Sequence, residues 1–226
     1  MQEKVFIKNR HEKKIAVVVR QSSHQKGLVF VMHGLGGFKE QPHIQTFADT
    51  FIENAFTVVL FDTTHTFGES GGLYKDATTT NYYEDLEDII NWARTQSWFE
   101  KPFWLVGHSL GGISTALYAE RHPEEVKALA PISTVVSGKL SADVKSGERD
   151  EWKRTGWLIR ESESEPGRIK KLKWSHMEDR MKYDLLPEIN KLIMPVLLVV
   201  GDQDKSTPPE HQKCFLINCQ GKKKFI

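Results

Sequence analysis

Apolar positions along the chain fall into short runs that alternate with helical stripes. Val5–Ile7 and Lys14–Val19 read as strands, the second short and β-branched. Gly27 precedes Leu28–Met32, a continuous apolar run of the kind buried on both faces of a parallel sheet. Pro42–Asn54 places Ile44, Phe47, Ala48, Phe51 and Ile52 at helical spacing. Thr57–Phe61 predicts a strand. Tyr82–Thr95 predicts a helix, with Tyr82, Leu86, Ile89, Ile90 and Ala93 on one face. Phe103–Val106 reads as a strand, Leu110–Arg121 as a helix, and Val126–Ile132 and Pro195–Val200 as strands. Pro208–Asn218 is a helix that opens on proline, where the missing N–H is harmless. Lys222–Ile226 begins one more strand. The alternation predicts an α/β fold, with a mainly parallel sheet and helices on both faces.

One interval breaks this rhythm. Residues 133–192 hold no clear sheet strand but carry Trp152, Trp157, Trp174 and the loop signal Pro166-Gly167. Between Lys139 and Lys191 there are 13 Lys+Arg and 11 Asp+Glu, so the segment is charged yet nearly neutral. Sixty residues are too many for a structureless loop. The expectation is an inserted, mostly helical cap at 133–192 on a core made of residues 1–132 and 193–226. A disordered insertion is the alternative; the tryptophans favour a segment that covers something.

Bulk properties remove several classes of function. The net charge of the 226 residues is +1, which offers no global field for nucleic acid or an anionic membrane. The longest apolar runs are strand-length, far below the roughly 20 residues of a membrane span. Met1–Arg10 is polar, without a signal-like apolar stretch. Cys214 and Cys219 are expected to be reduced thiols, and the chain to be cytoplasmic. No cofactor, metal, nucleic-acid or membrane partner is expected; oligomeric state is not readable.

The candidate chemistry lies in Gly107-His108-Ser109-Leu110-Gly111-Gly112, which contains G-x-S-x-G. A nucleophilic serine must stand on a sharp strand-to-helix turn that leaves no room for Cβ atoms two residues either side. The motif alone is weak, but here a strand ends just before Gly107 and a helix starts just after Ser109. The helix N-terminus also places a positive dipole where negative charge would develop.

With these residues in view, the chain resembles the α/β-hydrolase superfamily. Within it, it is most similar to the serine-aminopeptidase-like branch that includes cinnamoyl (feruloyl) esterases and monoacylglycerol lipases. Four motifs carry the resemblance in the expected order: His33-Gly34-Leu35-Gly36-Gly37, Gly68-Glu69-Ser70-Gly71-Gly72, Gly107–Gly112 and Gly201-Asp202-Gln203-Asp204. The resemblance implies Ser109 as nucleophile and an oxyanion hole from the Leu35 and Leu110 N–H groups. Gly34 would let the loop bend close to Ser109. His33 would brace the loop, and His108 would point its side chain away from Ser109. The family's G-x-x-D pattern falls on Gly201 and Asp204, so Asp204 is the expected acid; Asp202 and Asp62 are read as turn residues.

In this fold the triad runs Ser, acid, His along the chain, and the histidine follows the eighth strand. Here that strand has barely begun at Ile226. His65, His108, His176 and His211 are poor candidates for the base. The expectation is that about 20–30 further residues, a loop and a final helix, would supply it. The function expected is hydrolysis of a small or medium-sized, partly apolar carboxylic ester by a serine hydrolase. A peptidase or amidase of the same fold, with Glu161, Glu163 or Glu165 binding the substrate amine, is one alternative. A non-catalytic ligand- or partner-binding relative is the other.

Overall fold

The computed structural model describes residues 1–144, 146–162 and 167–226. In chain order, β1 (Gln2–Lys8), β2 (Lys14–Arg20) and β3 (Gly27–Met32) lead into α1 (Pro42–Glu53) and β4 (Phe56–Phe61). Then come α2 (Thr79–Ala93), β5 (Phe103–His108), α3 (Leu110–Arg121) and β6 (Val126–Ile132). After β6 the chain forms α4 (Gly138–Asp143), α5 (Ser146–Thr155), β7 (Trp157–Glu161), β8 (Ile169–Lys173) and α6 (Ser175–Arg180). It returns through β9 (Val196–Leu198), α7 (Pro209–Asn218) and β10 (Lys223–Phe225).

Eight strands form one sheet in the order β1-β2-β4-β3-β5-β6-β9-β10. Only the pairings β1–β2 and β2–β4 are antiparallel; all others are parallel. Side-chain alternation along each strand divides the interior in two. Leu28, Phe30 and Met32 of β3 join a large core with Tyr82, Leu86, Ile113 and Phe215. Val29 and Val31 face the other way, onto Ile44 and Ala48 of α1. Helix α3 is central: every residue from Leu110 to Glu120 is buried. No helix of the described residues is long and apolar enough to cross a membrane.

The 133–192 interval rises between β6 and β9, and it is not mostly helical. Besides α4, α5 and α6 it contains an antiparallel hairpin, with β7 paired to β8 from Trp157↔Lys173 to Glu161↔Ile169. The hairpin stands apart from the main sheet. Its strand Ile169-Lys-Lys-Leu-Lys buries little besides Leu172, so no apolar run marks it in the sequence. The interval is tied down at several points. Asp179 accepts from the Thr80 amide at 2.9 Å and the Thr80 hydroxyl at 2.6 Å, joining α6 to α2. Lys173 of β8 pairs with Asp76.

Candidate active site

Ser109 is the residue between β5 and α3, and its backbone is unusual. Its φ is +54° and its ψ −113°, outside the regions where a side chain is comfortable. Such a conformation costs about 1–3 kcal/mol and persists only when the surroundings fix it. Here they do: the Ser109 amide donates to the Ile132 carbonyl at 2.9 Å, and its carbonyl accepts from Gly112 and Ile113 at 3.0 and 3.3 Å. The glycines of the motif have a steric reason. A Cβ on Gly107 would lie 2.3 Å from the Gly111 carbonyl oxygen, and one on Gly111 would lie 2.5 Å from that of His33.

The loop after β3 is pressed against this turn. A Cβ on Gly34 would stand 3.0 Å from the Ser109 Cβ. The Gly34 carbonyl accepts three hydrogen bonds: from the Gly37 amide at 2.9 Å, from His33 Nδ1 at 2.8 Å and from the Tyr82 hydroxyl at 3.1 Å. A trans peptide directs its C=O and N–H oppositely. Fixing the Gly34 oxygen therefore turns the Leu35 N–H the other way. Neither the Leu35 nor the Leu110 amide has a hydrogen-bond partner among the described residues.

His33 is fully buried, and its ring state follows from its partners. Nδ1 donates to Gly34, and Nε2 accepts from the Thr63 amide at 3.1 Å. Burial also lowers its pKa, so the ring is neutral and holds the loop. Tyr82 of α2 does similar work, since its hydroxyl also accepts from the Gly36 amide at 3.0 Å. Lower down, Lys39 (1% exposed) meets Asp62 (0%) at 2.8 Å and Glu69 at 2.7 Å. Asp62 accepts the Lys39 and Glu69 amides as well, so one carboxylate joins three loops.

Asp204 lies in the turn after β9. Its Oδ1 accepts from the Ser206 and Thr207 amides at 2.8 and 2.9 Å, and Oδ2 accepts from the Thr207 hydroxyl at 2.8 Å. Burial alone would raise this carboxyl. The bonds from Thr207, Ser206 and the Ser133 hydroxyl outweigh it and hold it below the usual range. Asp202 is exposed.

None of the nine histidines hydrogen-bonds Ser109 or Asp204 among the described residues. His108 packs its ring on His43 at 4.6 Å. Burial, then the neighbouring His43, pushes its pKa down to about 4, so both rings rest neutral. His65 holds the Leu73 backbone instead of facing the site. His176 is fully buried with both nitrogens occupied: Nδ1 donates to Ala77 at 2.9 Å and Nε2 accepts from Arg180 at 2.6 Å. His211 sits on α7.

A cavity of about 580 Å³ opens over these loops. Leu35, His43, His108 and Ser206 form its floor; Ala142, Trp152, Leu158, Leu172 and Met177 line its roof. Of the three tryptophans singled out, Trp152 faces the cavity, with its Nε1 bonded to the Leu172 carbonyl at 3.2 Å. Trp174 packs edge-on against Trp152, and Trp157 is exposed. Among the described residues the lining also carries Arg149, Arg160, Lys170 and Arg180 against two carboxylates, Glu148 and Glu161. Sequence reasoning missed this charge, and it missed the roles of Tyr82 and Lys39, because no local motif marks them. Glu163 and Glu165 lie outside the described residues.

Comparisons with known proteins place the chain in a family and a fold. The profile of the family described as serine aminopeptidase, S33, matches residues 23–182. An Escherichia coli relative, the uncharacterized 31.7 kDa protein in the traX-finO intergenic region, is 25% identical over 83% of this chain and 76% of its own. Among solved structures, ferulic-acid-bound Est1E from Butyrivibrio proteoclasticus superposes with a TM-score of 0.80 at 21% identity, over 98% of this chain and 88% of that one. Alpha/beta hydrolase domain-containing protein 10 from mouse gives 0.80 at 19% identity, over 99% and 88%. These structural likenesses concern the fold. The profile match covers more than half of the chain, which therefore belongs to the serine aminopeptidase S33 family of α/β hydrolases.

Proposed function

We propose that this hydrolase cleaves a carboxylic ester of a small or medium-sized substrate through an acyl-enzyme on Ser109. The observation that carries the reading is the turn at Ser109. A side chain held at positive φ, beside two amides with no partner among the described residues, suits a nucleophile next to an oxyanion hole. The Ser109 oxygen would attack the ester carbonyl. The Leu35 and Leu110 N–H groups would take the resulting negative charge, and collapse would release the alcohol. Water would then free the acid and restore the serine. Asp204, ionised at neutral pH, would orient and offset a charged imidazole.

The imidazole is proposed to be none of the nine histidines of residues 1–226. His33 and His176 have both ring nitrogens engaged, and His108 is packed on His43. In this reading the base comes from outside these residues. The ester preference is supported by structural relatives that include Est1E with ferulic acid bound and an acetyl xylan esterase. It is also supported by the roof: Trp152, Leu158, Leu172 and Met177 suit an acyl or aryl group. A peptidase would need a free carboxylate for a substrate amine, and the lining is richer in cations.

The test compares hydrolysis of 4-nitrophenyl butyrate by residues 1–226 and by a longer form that carries the proposed histidine. The expected outcome is little or no turnover by the first and ready turnover by the second. Strong Ser109-dependent turnover by residues 1–226 would overturn the assignment of the base. Failure of both forms, with folding intact, would overturn the esterase reading.

A further inference from the structure

Arg180, at the end of α6, lines the cavity from above, and it has no carboxylate within ion-pair distance among the described residues. Its guanidinium makes two hydrogen bonds. Nη1 donates to the Ser141 hydroxyl at 3.0 Å and Nη2 to His176 Nε2 at 2.6 Å. Its Nε–H is buried with no partner among the described residues. An arginine has five N–H donors, so three remain unspent. Neutral acceptors position the fork without neutralising it.

The other cavity cations differ. Arg160 pairs with Glu148, and Arg149 with Asp143 and Asp150. Lys170 lies 5.6 Å over the Phe67 ring. Tyr74 lines the same wall, close enough to Arg180 to interact through charge, and its hydroxyl makes no hydrogen bond among the described residues. A partly buried cation left unpaired is unfavourable unless something else supplies the countercharge. Burial lowers the Arg180 pKa to about 10, which still leaves it charged at neutral pH.

We infer that Arg180, with Tyr74 beside it, is a specificity determinant that binds a carboxylate on the substrate. The preferred ester then carries an acid group that reaches Arg180 in the cavity wall. A carboxylate fits because its two oxygens match the planar fork, and a monoanion matches one unpaired guanidinium. This inference rests on the esterase reading for the word ester, but the anion site itself does not.

The test therefore measures binding without turnover, using phenylacetate and its neutral isostere phenylacetamide by isothermal titration. Charge-assisted hydrogen bonds predict that the protein prefers phenylacetate by roughly tenfold or more. Arg180→Met should bring the two ligands to within about twofold by deleting those bonds. Lys170→Met removes the same unit of charge from the cavity and should leave most of the preference. If Arg180→Met fails to fold, Arg180→Lys and Tyr74→Phe stand in. Each should reduce the preference several-fold while phenylacetamide binds as before.

Equal binding of both ligands by the unsubstituted protein would overturn the inference. So would a preference that survives in Arg180→Met, or in both stand-ins, or one that Lys170→Met abolishes as fully. Anion preference in a protein whose Ser109 proved unreactive would sink the esterase reading alone. Ester turnover without anion preference would sink only the inference.

Discussion

Below the cavity, position is set by backbone and by neutral, buried groups. Gly34, Gly107 and Gly111 permit approaches that a Cβ would block, and His33 and Tyr82 hold one carbonyl so that one amide points the other way. Above it, the segment around α4–α6 uses long charged side chains on a hairpin and short helices, with ion pairs such as Arg160–Glu148 near solvent. A floor held in this way would suit the proposed acyl transfer, which needs its donors fixed in place. The roof can change its lining without moving the floor, which suits selection of substrate. The difference implies that substitutions below should damage chemistry and folding together, and those above mainly selectivity.

Five substitutions probe that contrast, beginning with the largest effect. In the extended, histidine-bearing form, Ser109→Ala should lower kcat by roughly 10⁶, the scale seen when a serine nucleophile is lost. Steady-state hydrolysis of 4-nitrophenyl butyrate checks this; a loss below tenfold would mean that Ser109 is not the nucleophile. Next, Lys39→Met leaves Asp62 buried without its cation and should cost about 3–5 kcal/mol in urea denaturation. The matching roof change, Glu148→Gln, breaks a pair near solvent and should cost less than about 1 kcal/mol. Similar costs for the two would erase the contrast.

Tyr82→Phe comes third. It removes the donor to Gly34 and the acceptor for Gly36, and should cost about 1–3 kcal/mol. It should lower kcat more than it raises KM, because the Leu35 amide loses part of its support. A change in KM alone would place Tyr82 in substrate binding instead.

A further prediction concerns pH. Glu120 of α3 is buried, one of its oxygens has no partner among the described residues, and burial followed by repulsion from Glu188 raises its pKa to about 8. In the unfolded chain it titrates near 4.5. Between these values the folded state holds a proton that the unfolded state has lost, so stability falls as pH rises from 4.5 towards 8. Glu120→Gln should flatten that slope in denaturation curves collected across the range. An unchanged slope would assign it to other groups.

The sequence made the floor legible and the roof opaque, for physical reasons. The turn at Ser109 and the loop at Gly34 are local: their glycines are required by contacts within a few residues or across adjacent strands. The alternating apolar runs likewise mark β3, β5 and α3, since each is buried on more than one side. Tyr82 escaped because it braces a loop 48 residues earlier in the chain, and its helix stripe accounted for it already. The hairpin β7–β8 escaped because one strand is Ile-Lys-Lys-Leu-Lys, with few apolar positions to show alternation. Arg180 escaped because its isolation in the cavity depends on which carboxylates come near it, and only folding decides that.

The central claim is that Ser109 is the reactive group of this fold, and covalent capture tests it most directly. The extended form would be treated with a fluorophosphonate, its intact mass followed over time, and the adduct mapped by peptide sequencing. The account predicts one adduct, on Ser109, formed far faster than in residues 1–226 alone and absent from Ser109→Ala. Rapid labelling that persists in Ser109→Ala, or maps to another residue, would contradict it.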